Sequence, residues 1–391
     1  MSATVLQERV PLKRWLAVIA VAVGTFCVVT VEQLPVGLLT PIGGALGVSE
    51  GLVGLMVTLP GLVASVTAPL LPPAIRGADR RTVLLVLLSL MVLANLLSTL
   101  APNFGVLLVS RFLVGVGIGG FWALAAGIAI RMVPERYVPR ATSVAFGGAT
   151  AANVIGVPAG TLLGGLTDWR VAFGAVGALG LAVVIGLFML LPRMPVSDQV
   201  RLSTLAGQLR NPVVRAAVIT TFLLVSGHFA AFTFVGPVLR DISNVPGSLI
   251  SPLLLVFGVA GVIGTFVTGS LAGRDVRRTV LGLSVVLAVT LLTFPVVGTA
   301  PATGVALLIL WGLAYGGVPV AVQTWILKGA PDHAEAATAL NTSLFNLAIA
   351  LGALIGGRLM DGVAVTGVLW VGAALFLMTI LVVSRTGRRA Q

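Results

Sequence analysis

Twelve stretches of about 20 or more predominantly apolar residues occupy the chain almost end to end. They lie near 15–42, 51–72, 82–101, 104–132, 140–165, 170–191, 213–239, 248–272, 279–298, 302–327, 335–358 and 362–384. As helix, each is long enough to cross about 30 Å of hydrocarbon. Turn and boundary residues separate them: Gly43-Gly44, Pro72-Pro73, Pro134, Pro192, Asn211-Pro212, Pro246-Gly247, Pro301 and Pro331. With 58% hydrophobic and only 9% charged residues, the chain has too little polar surface to enclose itself in water, so its solvent is lipid. The first apolar run contains Glu32 and is longer than the core of a signal peptide, so it reads as a retained span.

The second constraint is a repeat. Arg-Arg-Thr-Val-Leu occurs at Arg80–Leu84 and again at Arg277–Leu281, 197 residues later, each time closing a short basic loop before an apolar run. At the same offset Gly115-Val-Gly-Ile-Gly-Gly120 aligns with Gly312-Leu-Ala-Tyr-Gly-Gly317, and glycines inside membrane helices allow close backbone approach. The expected fold is all-α: twelve transmembrane helices in two pseudo-symmetric six-helix bundles, over residues 1–192 and 213–391, joined by a polar linker at 193–212. Parallel halves of this kind place a substrate cavity near the membrane midplane.

The net charge of +12 is dispersed in twos and threes between spans, which argues against nucleic acid as a partner. With the N-terminus inside, twenty of the twenty-four Lys and Arg residues fall on the cytoplasmic face and only Arg170, Arg240 and Arg358 outside, so both termini are expected in the cytoplasm. The single cysteine, Cys27, gives neither an internal disulfide nor a cysteine metal cluster. His228 and His333 are isolated and no nucleotide-binding P-loop is present, so neither an enzyme nor an ATP-driven pump is expected, and no metal or organic cofactor.

On these motifs the chain resembles the major facilitator superfamily, in its twelve-span drug:proton antiporter branch. The loop after the second span matches the family signature only in part, with Pro72, Arg76 and Asp79 at positions the family fills with glycine, aspartate and glycine. The second copy keeps Gly269, Arg274, Arg277 and Arg278, with Gly273 in place of the acid. Span four carries Arg111, Gly115 and Gly117. Span five carries the antiporter glycines as Gly147, Gly156, Gly160, Gly164 and Gly165, with Thr161 at the usual proline and Pro158 one turn earlier. Val31–Pro41, Gly119–Leu124 and Gly156–Gly165 followed by Asp168-Trp-Arg170 resemble bacterial purine ribonucleoside, sugar and arabinose efflux transporters. The resemblance implies alternating access, with spans one, four, seven and ten around the cavity, in a bacterial inner membrane. A small-molecule substrate, protons and lipid are the expected partners of a monomer. A uniporter or importer of the same fold is the alternative.

Glu32 is the one carboxylate well inside a span, about 25 Å along the helix from Trp15. An ionisable group there is costly and functional by default, so Glu32 is the candidate proton carrier. Arg111 is the second proton-coupling candidate: it either pairs with Glu32 or ties span four to backbone carbonyls. Polar and aromatic positions give the candidate substrate surface: Gln33, Trp122 and Asn153 in the first half, and Thr221, His228, Phe232, Tyr315, Gln323, Asn341 and Asn346 in the second. Such a surface suits a neutral, partly polar ring such as a nucleoside, a sugar or an amphipathic drug. His228 is also a second proton candidate or a hydrogen-bonded core residue. Gating is expected of Asp79, Arg80, Arg81, Arg277 and Arg278 in the loops and of Gly156, Pro158 and Gly160 in span five. Asp168, Asp241 and Asp361, at the outer span ends, are expected to be solvated.

Overall fold

A computed structural model describes residues 11–75, 77–194, 205 and 207–386. Among the described residues there is helix and turn and no strand. Twelve helices are long and apolar enough to cross a membrane. They are α1 Leu12–Leu46, α2 Glu50–Ala74, α3 Arg80–Thr99, α4 Phe104–Arg131, α5 Glu135–Leu166, α6 Trp169–Leu190, α7 Pro212–Phe232, α8 Gly247–Arg274, α9 Val276–Val297, α10 Pro301–Gly329, α11 Pro331–Gly362 and α12 Val365–Arg385. Most of the 193–212 linker lies outside the described residues, and so does Arg76.

Several scarce polar residues begin helices. Asp79, Asp168, Asn211 and Asp275 stand at the first turns of α3, α6, α7 and α9, each accepting a hydrogen bond from a backbone N–H two or three residues on. Two boundaries differ from expectation. α2 continues through Pro72-Pro73 to Ala74, carrying four prolines, because neighbouring helices can accommodate the backbone groups that proline frees. α7 stops at Phe232. Pro237 cannot donate to the Thr233 carbonyl and its ring collides with it, so the chain turns at Thr233-Phe234 and resumes as short turns at Val235–Pro237 and Val238–Ile242.

The 197-residue repeat is a repeat of contacts. A Cβ built on Gly115 would meet Pro60 and Val63, and one on Gly312 would meet Phe257 and Ala260. Gly119 lies against Ala64 and Gly316 against Gly261, while Gly120 lies against Leu71 and Gly317 against Thr268. Every residue in the second set is its counterpart in the first moved by 197, so α4 packs on α2 as α10 packs on α8. Between the bundles the symmetry recurs: Gly61 of α2 faces the Asn346 carbonyl of α11, and its counterpart Gly258 of α8 faces the Asn153 carbonyl of α5. Small residues let these backbones approach where any side chain would hold them apart.

One end of the molecule carries the arginine-rich loops and the other few charges. At the charge-poor face the bundles are tied together. Arg240, just past α7, pairs with Glu50 of α2 at 3.1 Å and donates to Thr40 of α1 at 2.9 Å, while Thr40 donates to Glu50 at 2.6 Å and Asp241 holds Arg240 at 2.7 Å. Asp361 of α11 accepts from the Ser49 hydroxyl at 2.6 Å and the Gly51 N–H at 3.1 Å. Asp241 and Asp361 remain exposed, as expected of charges at the outer span ends, and are in addition parts of ties between or beside the bundles. Phe234, fully buried at the break after α7, wedges between Gly54 of α2 and Gly356 of α11. Further in, Ser251 of α8 donates to the Pro158 carbonyl and Ser343 of α11 to the Ser65 carbonyl.

Candidate functional site

Glu32 sits on α1 with only 9% of its surface exposed, surrounded by apolar neighbours along the helix. Arg111 of α4 is fully buried close by, and it settles which of its two expected partners it takes. Its Nη1 donates to the Val31 carbonyl at 3.1 Å, its Nη2 to Ser98 of α3 at 3.0 Å, and its guanidinium lies 4.9 Å over the Phe173 ring of α6. Arg111 therefore ties α4 to the backbone of α1 one residue before Glu32. No ion pair joins the two side chains among the described residues. The Arg111 charge is spread over a carbonyl, a hydroxyl and an aromatic face, which satisfies it without neutralising the acid.

α5 fixes the depth of Glu32. A Cβ on Gly148 would lie 2.0 Å from the Ala22 carbonyl, one on Gly156 2.2 Å from Thr30 Oγ1, one on Gly160 2.6 Å from Leu34 and one on Gly164 2.7 Å from Leu38. Each pair is 126 residues apart, so α1 and α5 run parallel in register, with Glu32 between two contact points. The face is set by four-residue spacing, with Ala152 buried in the one remaining place. Gly147 and Gly165, expected on this ladder, have open space around them, and Gly148 takes the place of Gly147. Thr161, where the family has proline, bonds its hydroxyl to the Val157 carbonyl at 2.8 Å and nests against Gly37. A π-helical turn at Ala152–Gly156 precedes Pro158.

In the second bundle the structure gathers His228, Phe232 and Tyr315 into one aromatic column, and adds two residues the sequence reading missed, Phe257 and Trp311. Tyr315 stacks on His228 with centroids 3.2 Å apart and planes 5° apart; His228 stacks on Phe232 at 4.7 Å and Phe232 on Phe257 at 4.6 Å, and the column bends at Phe232 so that Phe257 returns to 6.2 Å from His228. Trp311 stands edge-on to His228, Phe232 and Phe257. Its Nε1–H donates to His228 Nδ1 at 3.2 Å, which makes that nitrogen an acceptor and leaves the imidazole proton on Nε2. His228 is thus a packed member of the column. Phe257 lies at the 197-residue counterpart of Pro60, and Trp311 precedes the duplicated glycine segment; an aromatic that breaks the symmetry of a repeat was the available signal.

The other predicted substrate residues divide. The Gln33 and Asn341 side-chain oxygens and the Tyr315 hydroxyl are buried without a hydrogen-bond partner. Thr221 and Asn346 instead bond carbonyls of their own helices, and Gln323 donates to Thr338 at 2.9 Å. Trp122 stacks on Phe146 of α5 at 5.7 Å, apart from the column. Asn153 is exposed on the π turn. A crevice of about 440 Å³ opens between α2 and α11 near Asp361, and none of the predicted substrate residues lines it.

The loop residues expected to gate brace their own bundles. Asp79 accepts from the Met194 N–H at 2.7 Å, and Arg81 donates to the Phe188 carbonyl and lies over the Phe188 ring, tying α3 to the end of α6. Partial burial opposes the Asp79 anion, but the Met194, Arg81 and Thr82 hydrogen bonds and the Arg81 charge outweigh it and hold its pKa below the ordinary value. In the second copy Arg277 donates to the Val383 and Ser384 carbonyls at the end of α12, and Arg278 pairs with Asp275 at 3.1 Å. Arg80 alone of this group reaches across the bundles, within electrostatic range of Glu335 on α11.

The family model described as Major Facilitator Superfamily matches residues 21–353. The purine ribonucleoside efflux pump NepI of Salmonella paratyphi C is 36% identical over 370 residues, which is 95% of this chain and 93% of that protein; NepI of Salmonella typhimurium gives the same figures. Among solved structures, a bacterial homologue of the human lysosomal transporter Spinster, inward-facing and unoccupied, superposes with a TM-score of 0.72 at 15% identity, covering 95% of this chain and 96% of that one. The human organic anion transporter MFSD10 superposes with a TM-score of 0.71 at 16% identity, covering 96% of this chain and 100% of that one. Twelve spans, a duplicated bundle, an acid buried deep in the first span and this match over most of the length lead to one assignment: the chain is a membrane transporter that belongs to the Major Facilitator Superfamily.

Proposed function

We propose that the protein is a proton-coupled antiporter that exports purine ribonucleosides or chemically similar small solutes across a bacterial inner membrane, as a monomer with both termini in the cytoplasm. The observation that carries this reading is Glu32: a buried carboxyl group, held at fixed depth by α5 and given no ion-pair partner by the neighbouring Arg111. A carboxyl group so placed binds a proton readily because the alternative is an unpaired charge in hydrocarbon. The similarity to a purine ribonucleoside efflux pump supports the substrate class, and the excess of arginine on one face supports the orientation. With the bundles tied at the charge-poor face, substrate enters from the basic face; proton uptake on Glu32 and substrate release then belong to the opposite state. Purified protein in proteoliposomes under an imposed pH gradient tests this. Nucleoside export should consume the gradient in the wild type and lose its pH dependence in Glu32→Gln. Export that neither consumes the gradient nor responds to this substitution makes the protein a uniporter and overturns the reading.

A further inference from the structure

The aromatic column has two ends. His228 and Phe232, in the middle, are 2% and 9% exposed, and Trp311 seals their edges. Phe257 and Tyr315, at the ends, are half-buried. One face of Tyr315 is covered by His228; among the described residues no second ring stacks on the other face. The Tyr315 hydroxyl is buried with no hydrogen-bond partner, an arrangement that costs free energy unless something else supplies an acceptor or donor. Across the bundle boundary is α1, with Glu32 within electrostatic reach of Tyr315 and the Gln33 side-chain oxygen buried and unpartnered. Tyr315 is therefore a flat ring, presented at the seam between the bundles, bordered by hydrogen-bonding groups that lack partners.

We propose that the face of Tyr315 turned away from His228, on which no other ring stacks, is the platform on which a purine base stacks, extending the four stacked rings by a fifth. The Glu32 carboxylate then accepts from an N–H of the base, and the Tyr315 hydroxyl is given a partner. This rests on the nucleoside reading above and specifies its binding site. The chemistry selects a planar heteroaromatic ring: it gains dispersion and π-overlap over its whole face, whereas a saturated sugar offers a puckered edge. It selects a neutral ring with N–H donors, because the groups on the α1 side, Glu32 and the Gln33 oxygen, are acceptors. The two-ring purine covers more of the platform than a pyrimidine. His228 has a stated part as well: held by Trp311 and sandwiched between Phe232 and Tyr315, it is the layer that keeps the platform flat, a positioning residue and not a ligand.

Calorimetric titration of the full-length protein in detergent, at one pH with no gradient, tests this with inosine, uridine and ribose. Inosine should bind, uridine more weakly and ribose not measurably. Tyr315→Leu, which removes the ring, should weaken inosine by roughly 10- to 100-fold, the range of one base–aromatic stack. Tyr315→Phe, which keeps the ring, should stay within about 3-fold. Saturation-transfer NMR on the unaltered protein gives a reading independent of whether the leucine variant folds: the strongest transfer should fall on the purine H2 and H8 protons. Ribose binding as tightly as inosine, equal affinity in wild type and Tyr315→Leu, transfer centred on the ribose, or no inosine binding at millimolar concentration would each overturn the platform. These measurements involve no proton gradient. Tyr315-dependent inosine binding in a protein that fails the antiport test keeps the platform and removes the antiporter, and the converse result does the reverse.

Discussion

Gly147 and Gly148 are adjacent on α5, and replacing each with alanine should have opposite effects. At Gly148 a Cβ would lie 2.0 Å from the Ala22 carbonyl oxygen and 3.1 Å from the Phe26 nitrogen. Both are backbone atoms of α1, so no rotamer change relieves the contact, and the helices must part by about 1 Å. Overpacking of this kind costs about 1–3 kcal/mol, and the loss is compounded because the same displacement loosens Gly156 on Thr30 and Gly160 on Leu34. At Gly147 nothing lies within 4 Å of the added methyl group, so alanine brings only its better helix propensity, about 0.5–1 kcal/mol of stabilisation. Cys27 provides the assay. It is the only cysteine and is 5% exposed on α1, so a thiol-reactive fluorophore reports unfolding with no engineered site. The melting temperature should fall by several degrees in Gly148→Ala and hold or rise in Gly147→Ala. Equal melting temperatures for the two variants would refute the register assigned to α1 and α5.

Two further outcomes follow from the polar contacts. Arg111→Ala should lower the melting temperature, by the equivalent of about 1–3 kcal/mol, because it leaves the Val31 carbonyl without its buried side-chain donor and strips Ser98 of one of its two side-chain partners; Arg111→Lys, unable to reach both, should recover only part of it, and full recovery would mean that charge alone matters. At the charge-poor face, Arg240 gains a pKa above its ordinary value, from the Asp241 hydrogen bond first and from Glu50 next, against partial burial. The pair is partly exposed, so Arg240→Ala and Glu50→Ala should each change global stability by about 1 kcal/mol or less. Their larger effect should be on access: a cysteine placed at Val53, fully buried on α2 three residues after Glu50, in a Cys27→Ser background should label faster in either variant, and unchanged labelling would remove this cluster from the closure of that face.

The spans, the duplication and the special position of Glu32 were legible in the sequence because they rest on length, composition and register, which are one-dimensional properties. The offset of 197 did more than reveal a repeat: it matched Gly115 with Gly312, and the structure shows the two in equivalent contacts and extends the match to Gly61 and Gly258. What stayed hidden depends on helix rotation. Gly147 and Gly148 look interchangeable in a string, yet lie about 100° apart around α5, and only one meets α1. Arg111 had two chemically reasonable partners, and the depth of a carbonyl relative to a carboxyl on the next residue decided between them. Arg240 and Asp361 looked like loop charges because their partners, Glu50 and Ser49, lie 190 and 312 residues away in sequence. The family signature drew attention to the loop arginines for gating, whereas most of their contacts bind the ends of α6 and α12 to their own bundles.

The parallel register of α1 and α5 makes α5 a ruler laid along α1. With Thr30 on one side of Glu32 and Leu34 on the other each notched into a glycine, the carboxyl group cannot slide along α5. Under the antiport proposed above, a proton held there would gain or lose contact with water only when the surrounding helices rearrange. In that reading the walls would move past a stationary carboxyl group.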